Sequence, residues 1–400
     1  MTAANDKGYE ALFEQSDGKL RIILKGQISS NNATLLEAEV REAIQGAESV
    51  VIDCAGLTYI SSAGLRVVLR VKKKINDVVL INVCPEVYEI FSVTGFTEMM
   101  DIRKAVRHLS VEGCEVIGEG ANGIVYRYDE DTIVKVFKNP DALPDIERER
   151  ELARTAFVLG VPTAISYDIV QIDNGLYGSV FEMLNADNYN NMLISGKYSV
   201  EAIAEMCVEI LKIVHSTYPK QGVLPPRKDI SVERLKAIKD SQVLPEELYA
   251  ELEKKVLAIR EDTHMLHGDF HLKNIMYQDG ESLLIDMDTL CVGNTIYEIA
   301  GMYMPYVGFA EIDPQDPERF FGLSKEVTGE LYNCIVDKYF EDTPELIETI
   351  KKKAIILCAG RMLYYAVTGK HVKEDQKDRM IEHCIRQLNK YLPELDELYI

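Results

Sequence analysis

Through the first hundred positions the apolar residues fall into short blocks that switch between strand and helix spacing. Leu20-Arg21-Ile22-Ile23-Leu24 reads as a strand closed by Gly26. Ser29, Ser30, Asn31 and Asn32 then offer capping side chains to a helix over residues 33–44, whose Leu35, Leu36, Ala38, Val40 and Ile44 form its apolar face. Val50-Val51-Ile52-Asp53 is apolar on both faces, the pattern of a short buried strand. Residues 57–60 lead into Ser61-Ser62-Ala63-Gly64 and a helix over 65–75, followed by a strand over 78–83 and a helix over 85–93. This alternation predicts a small α/β sheet domain.

The pattern then changes. Val116-Ile117-Gly118-Glu119-Gly120-Ala121-Asn122-Gly123 carries G-x-G-x-x-G, which a dinucleotide site would follow with a helix. Here Ile124-Val125-Tyr126 is β-branched and aromatic, so the motif reads as strand, glycine loop, strand, a cover for nucleotide phosphates built on Gly118, Gly120 and Gly123. Lys135 stands in the next apolar strand, Thr132-Ile133-Val134-Lys135-Val136-Phe137. A lysine in a strand usually turns to solvent, but one strand after a glycine loop it is placed to grip phosphates. Its partner is expected among Glu147, Glu149 and Glu151 on a helix over 145–159. The run Ser179-Val180-Phe181-Glu182-Met183-Leu184 ends where a linker between two lobes would lie, and its backbone around Glu182 and Leu184 is available to an adenine. Helical periods follow over 199–216, over 228–261 with a break at Pro245, and over 328–339, 343–367 and 373–391.

Between those helices lies Leu266-His267-Gly268-Asp269-Phe270-His271-Leu272-Lys273-Asn274-Ile275, then Leu283-Leu284-Ile285-Asp286. A polar loop between apolar flanks, followed by an apolar run ending in a carboxylate, can bring three oxygen groups to one point. The spacing from Asp269 to Asn274 is that of the D-x-x-x-x-N of kinase catalytic loops. Magnesium takes carboxylate and amide oxygens, which suits Asn274 and Asp286, and an uncoordinated carboxylate, Asp269, can orient or deprotonate an attacking hydroxyl. Phosphoryl transfer needs no histidine, so His267 and His271 read as shaping the loop by hydrogen bonds, and Asp288 stays outside the expected site.

Composition sharpens the division. Residues 1–108 carry 13 Lys and Arg against 14 Asp and Glu, whereas residues 109–400 carry 31 against 51, nearly all of the formal net charge of −21. Two parts with such different electrostatics read as domains over 1–108 and 109–400, the second with lobes over about 112–184 and 185–400. The acidic balance argues against nucleic acid and favours a cationic acceptor. The eight cysteines are scattered without a C-x-x-C pair, so neither zinc site nor disulfide framework is expected. The first residues lack the blocks of a signal peptide, and no run of about 18 uncharged apolar residues occurs, so a cytoplasmic protein with no membrane partner is expected.

The first part resembles the STAS domain, the module of sulphate transporters and anti-sigma-factor antagonists, on Val50-Val51-Ile52-Asp53, Ile60-Ser61-Ser62-Ala63-Gly64-Leu65 and Thr94-Gly95-Phe96. In the antagonist branch a loop D-S-[ST]-G-L is phosphorylated on its first serine, which carries over to Ser62; Ser61 stands where the acid usually is, and Ala63 also departs from the pattern. Residues 112–400 resemble the aminoglycoside phosphotransferase and choline kinase family, which has the two-lobed protein-kinase-like fold. His267-Gly268-Asp269-Phe270-His271-Leu272-Lys273-Asn274 matches H-G-D-x-H-x-x-N, Ile285-Asp286 the following I-D, and Gly160-Val161-Pro162 the G-V-P after the family's glutamate, which falls on Glu149. Gly293-Asn294-Thr295-Ile296-Tyr297-Glu298-Ile299-Ala300 stands in place of G-D-P-x-x-D-L-A, with the proline and aspartate altered.

The resemblances imply an α+β chain of two domains, a STAS-like α/β sheet and a two-lobed kinase-like domain with a largely helical C-terminal lobe. They imply a magnesium-dependent transfer of the γ-phosphate of ATP, or of another nucleoside triphosphate, to a hydroxyl of a small molecule, with Lys135 on the α- and β-phosphates and fixed by Glu149. The STAS-like domain would serve regulation or a protein partner. Two other expectations are a protein-serine kinase acting on STAS domains, including Ser62 itself, and a nucleotide-sensing protein without turnover.

Overall fold

The computed structural model describes residues 7–120, 122–184, 186–369, 372 and 374–400. The start of the chain used for the leader expectation, Ala121 of the glycine loop and position 373 of the last expected helix lie outside the described residues. The chain divides into two units, Met1–Leu109 and Ser110–Ile400.

In the first unit five strands lie in chain order: β1 (Tyr9–Ser16), β2 (Lys19–Ile28), β3 (Ser49–Ile60), β4 (Asp77–Val83) and β5 (Asp101–Lys104). β1 and β2 form an antiparallel hairpin, and β2 to β5 pair in parallel. Parallel neighbours require crossovers, supplied by α1 (Ala33–Ala43), α2 (Ser62–Lys74) and α3 (Pro85–Val93). Leu20, Ile22, Val50, Ile52, Val78 and Leu80 align across the sheet and are buried with helix residues Leu36, Val68 and Phe91 in one core.

Four details differ from the sequence reading, the first being β5, a four-residue edge strand with only Ile102 buried and so too little apolar signal to be expected. β1 was not expected, because an edge strand whose residues after Tyr9 are largely exposed carries little apolar signal. β3 extends well beyond Val50-Val51-Ile52-Asp53, since residues 56–60 keep pairing with β2 past two register shifts that break the alternation. α2 begins at Ser62, because Ser61 is its cap: the Ser61 hydroxyl accepts a hydrogen bond from the Gly64 N–H at 3.3 Å. Gly64 has no room for a side chain, as a Cβ there would meet Ile28 and Ile60 at 2.7 Å.

In the second unit an antiparallel sheet is built from β6 (Glu115–Glu119), β7 (Gly123–Arg127), β8 (Thr132–Phe137), β9 (Asp168–Ile172) and β10 (Tyr177–Glu182), with β8 between β7 and β10. Helix α4 (Leu143–Val158) lies between β8 and β9 in sequence. The rest is mainly helical: α5 (Tyr189–Ile194), α6 (Val200–His215), α7 (Arg227–Ser241), α8 (Glu246–Leu257), α9 (Ile296–Tyr303), α10 (Asp316–Phe321), α11 (Lys325–Phe340), α12 (Pro344–Thr368) and α13 (Glu374–Tyr391). One core joins Leu211 and Val214 of α6, Ile299 and Met302 of α9, Ile335 of α11 and Leu363 of α12. Pieces of strand interrupt the helices where the polar loop lies: β11 (Met265–Leu266) pairs with β14 (Cys291–Val292), and β12 (Ile275–Gln278) pairs with β13 (Glu281–Leu284). Among the described residues, no helix is long and apolar enough to cross a membrane.

Candidate active site

The polar loop runs from β11 to β12, and both strands are anchored in the core through Met265, Leu266 and Ile275. Gly268 takes φ +84°, and a Cβ there would lie 2.5 Å from the Thr289 carbonyl oxygen, so glycine alone allows this turn. The loop is held from beneath by Glu298 of α9, a carboxylate with no exposed surface. Its oxygens accept from the His267 N–H at 2.6 Å and the Gly268 N–H at 3.0 Å. Burial alone would push the Glu298 carboxyl up; the charge of His215, 3.8 Å away, and the Gly268 N–H hold it below its ordinary value. The glutamate at the altered position of the G-D-P-x-x-D-L-A segment thus caps two loop amides.

His267 is fixed as one tautomer. Its Nδ1 accepts from the Asp269 N–H at 3.3 Å, so its Nε2 carries the proton given to the Ile285 carbonyl at 3.1 Å. The ring therefore ties the residue before Asp286 to the backbone of Asp269. Asn274 completes the frame: its side-chain NH₂ donates to the Asp269 carbonyl at 3.0 Å, and its carbonyl accepts from the Ile285 N–H at 3.0 Å. These bonds leave the Asn274 Oδ1 as the uncommitted end of the amide.

Asp269 lies between His271 Nε2 at 3.5 Å and Arg361 Nη2 at 3.6 Å. Burial opposes its charge, but the positive charge of His271 and then of Arg361 holds its carboxyl well below the usual carboxylate range. Arg361 comes from α12 and also donates to the Tyr365 hydroxyl at 2.9 Å and the Gly268 carbonyl at 3.4 Å. Asp286 has φ +57°, a left-handed conformation that costs a non-glycine residue energy and turns the chain directly after β13.

Lys135 on β8 reaches Asp286 Oδ1 at 2.5 Å and Glu149 Oε1, on α4, at 3.4 Å. Burial pulls the ammonium down, but Asp286 and Glu149 outweigh it and raise its pKa. Glu149 is itself pushed up, because burial outweighs the help it takes from Lys135. Asp288 is raised as well, by burial and then by the Asp286 charge, so it belongs to this acidic group rather than to open surface.

Gly123 opens β7 so close to β8 that a Cβ would stand 2.5 Å from the Val136 carbonyl oxygen. Gly120 faces open space, and Gly118 lies within β6. Lys138 donates to Glu119 at 2.8 Å and to the Gly120 carbonyl at 3.0 Å, bracing the loop. Glu182 closes β10 opposite Thr132, and the Met183 N–H donates to the Asp131 carbonyl at 2.7 Å just before Leu184. The structure therefore brings Lys135, Glu149 and Asp286 into one ion-paired group and Asp269 and Asn274 into one loop. Glu298, Arg361, His215 and Thr289 were missing from the sequence reading of the site. A single arginine inside the apolar run Ile355-Ile356-Leu357-Cys358-Ala359-Gly360-Arg361-Met362-Leu363 was the available signal for Arg361.

Ser62 lies in the first unit, exposed at the first position of α2. It is next to the capping Ser61, and α2 carries Lys72, Lys73 and Lys74 at its far end.

The family model for the phosphotransferase enzyme family matches residues 113–329, and that for the STAS domain matches residues 11–109. Over 95 residues the chain is 42% identical to BtrV of Bordetella bronchiseptica, named as an anti-sigma factor antagonist; the match covers 22% of this chain and 82% of that protein. Among solved structures, the aminoglycoside phosphotransferase APH(4)-Ia superposes with a TM-score of 0.50 at 14% identity, covering 69% of this chain and 93% of that one. A thermostable mutant of the same enzyme, in ternary complex with AMP-PNP and hygromycin B, gives 0.50 at 13% identity over 69% and 93%. These likenesses support the fold of the second unit. The chain belongs to the phosphotransferase enzyme family, a family of kinase-type enzymes, and carries a STAS domain ahead of its phosphotransferase region.

Proposed function

We propose that this protein transfers the γ-phosphate of ATP, with magnesium, to a hydroxyl of a small molecule, and that the STAS domain regulates this activity or docks a protein partner. The observation that carries the reading is the joining of Lys135, Glu149 and Asp286 in one ion-paired group, with Asp286 tied through Ile285 and His267 to the loop of Asp269. Cation and carboxylates from separate segments then face one reaction centre, as phosphoryl transfer by positioning and charge neutralisation requires. The fold relatives crystallised with ADP or AMP-PNP support nucleotide as the donor.

Lys135, steadied by Glu149, would grip the α- and β-phosphates beneath the glycine loop of Gly118, Gly120 and Gly123, while the backbone at Glu182 and Leu184 would receive the base. Asn274 and Asp286 fit a magnesium ion. Both offer hard oxygens, and the Asn274 amide is already held by its nitrogen, leaving its oxygen free to coordinate. The metal would neutralise charge building on the β- and γ-phosphates. Asp269, kept ionised by His271 and Arg361, would accept a hydrogen bond from the acceptor hydroxyl and take its proton during attack.

Calorimetry tests the donor site. ATP with magnesium should bind the wild type, and Lys135→Met or Asp286→Ala should weaken binding at least about tenfold, the effect of losing about 1.4 kcal/mol. Unchanged affinity in both variants would remove the nucleotide roles.

A second acceptor has an observation of its own. Exposed Ser62 at the start of α2 could carry a phosphate, where free backbone N–H groups and the helix dipole favour negative charge. Mass spectrometry after incubation with ATP and magnesium would show phosphate on Ser62 if the protein modifies itself; an unmodified peptide alongside a consumed small molecule rules this out.

A further inference from the structure

Helices α7, α8, α9 and α12 surround a small, partly open cavity in the second unit. Its walls are largely apolar, with Leu235, Ile238, Leu252 and Val256 among them, yet three guanidinium groups share the lining: Arg227, Arg234 and Arg361. Arg227 is only 6% exposed. Its Nε is buried with no hydrogen-bond partner among the described residues, and the Tyr297 hydroxyl, on the same lining, is in the same condition. Arg361 is paired with Asp269 and Tyr365. For Arg227 and Arg234 the described contacts are aromatic, with the guanidinium carbons 5.7 Å from the rings of Tyr297 and Tyr364. Neither has a carboxylate within ion-pair distance among the described residues.

Three cations around one cavity run against the charge of the chain, which carries 65 acidic against 44 basic residues. Burial and the neighbouring Arg227 and Arg361 push the Arg234 guanidinium down to about 9, and Arg227 is likewise lowered, by burial first. Groups in this condition are costly unless a counter-charge arrives. The planar donor fork of arginine suits oxyanions above other ligands.

We propose that this cavity binds an oxyanion, a phosphate or carboxylate group, on Arg227, Arg234 and the Tyr297 hydroxyl. The anion is either a free effector or the charged group of an acceptor whose hydroxyl reaches Asp269. In the second case the local chemistry selects an anionic acceptor, opposite to the cationic one that bulk charge favours.

Thermal unfolding of the full chain without nucleotide tests this, so the outcome does not depend on whether the kinase reading holds. In sodium phosphate, against sodium chloride at matched ionic strength, the wild type should unfold about 2–4 °C higher. Arg234→Met should lose that increment, with Arg227→Met as the second variant should the first not fold. Lys135→Met should retain it, which separates this site from the nucleotide site. No increment in the wild type, or an equal one in the arginine variants, overturns the proposal. With ATP and magnesium present, ADP release stimulated by glycerol 3-phosphate but not by glycerol assigns the anion to the acceptor; phosphate binding without that preference assigns it to an effector.

Discussion

A carboxylate with no exposed surface stays ionised only when donors and positive charge surround it, and Glu298 meets that condition with two backbone N–H groups and His215 beneath the loop. Glu298→Gln keeps the shape but turns an NH₂ toward one of those amides. Leaving a buried donor unpaired costs about 1–3 kcal/mol, readable as a lower urea midpoint with unchanged slope. The pH dependence has a defined sign. Because the folded value of Glu298 is depressed, its contribution is complete above the unfolded glutamate value of about 4.3 and is lost as pH falls through the folded value. Glu298→Gln should flatten that acid limb. Glu149 and Asp288, whose folded values are raised, act with the opposite sign and weaken the fold as pH rises through theirs. At this scale the drawing together of the Asp269–Asn274 loop and the segment of Asp286 was legible because a short stretch of sequence holds both. Arg361 was not, since it reaches the Gly268 carbonyl from 93 residues away and only the packing of α12 brings it there.

Among elements, caps and close approaches decide where segments begin. Ser61→Ala removes the hydroxyl that receives the Gly64 N–H, and should destabilise the first unit by about 1 kcal/mol in denaturant titration. The glycine loop offers a contrast. Gly123→Ala forces a Cβ against the Val136 carbonyl and should cost about 1–3 kcal/mol. Gly120→Ala faces open space and should change stability by no more than about 0.5 kcal/mol, so any loss of nucleotide affinity in that variant reports on the loop itself. Equal destabilisation by both alanines, measured in parallel melts, would contradict this account. The break between α7 and α8 was legible in Pro245, and the alternation of the first domain in its apolar blocks. Edge strand β1 was not legible, because pairing with β2 rather than burial of its own side chains holds it in place.

For the molecule as a whole, the first unit has its own sheet, crossovers and core. Residues 1–109 expressed alone should therefore give a folded domain with a cooperative thermal transition, and a broad, non-cooperative melt would count against it. The charge difference between the two parts was plain in the sequence, but bulk charge says nothing about one cavity: the acidic second half holds the cluster of Arg227, Arg234 and Arg361. The central claim is phosphoryl transfer through Asp269, and the most direct test compares wild type with Asp269→Ala across a panel of neutral, cationic and anionic alcohols, reading magnesium-dependent ADP release together with the phosphorylated product. The account predicts turnover for the wild type and a fall of about 10²–10⁴-fold in the variant, with ATP affinity by calorimetry unchanged. Near-normal turnover in Asp269→Ala would contradict it.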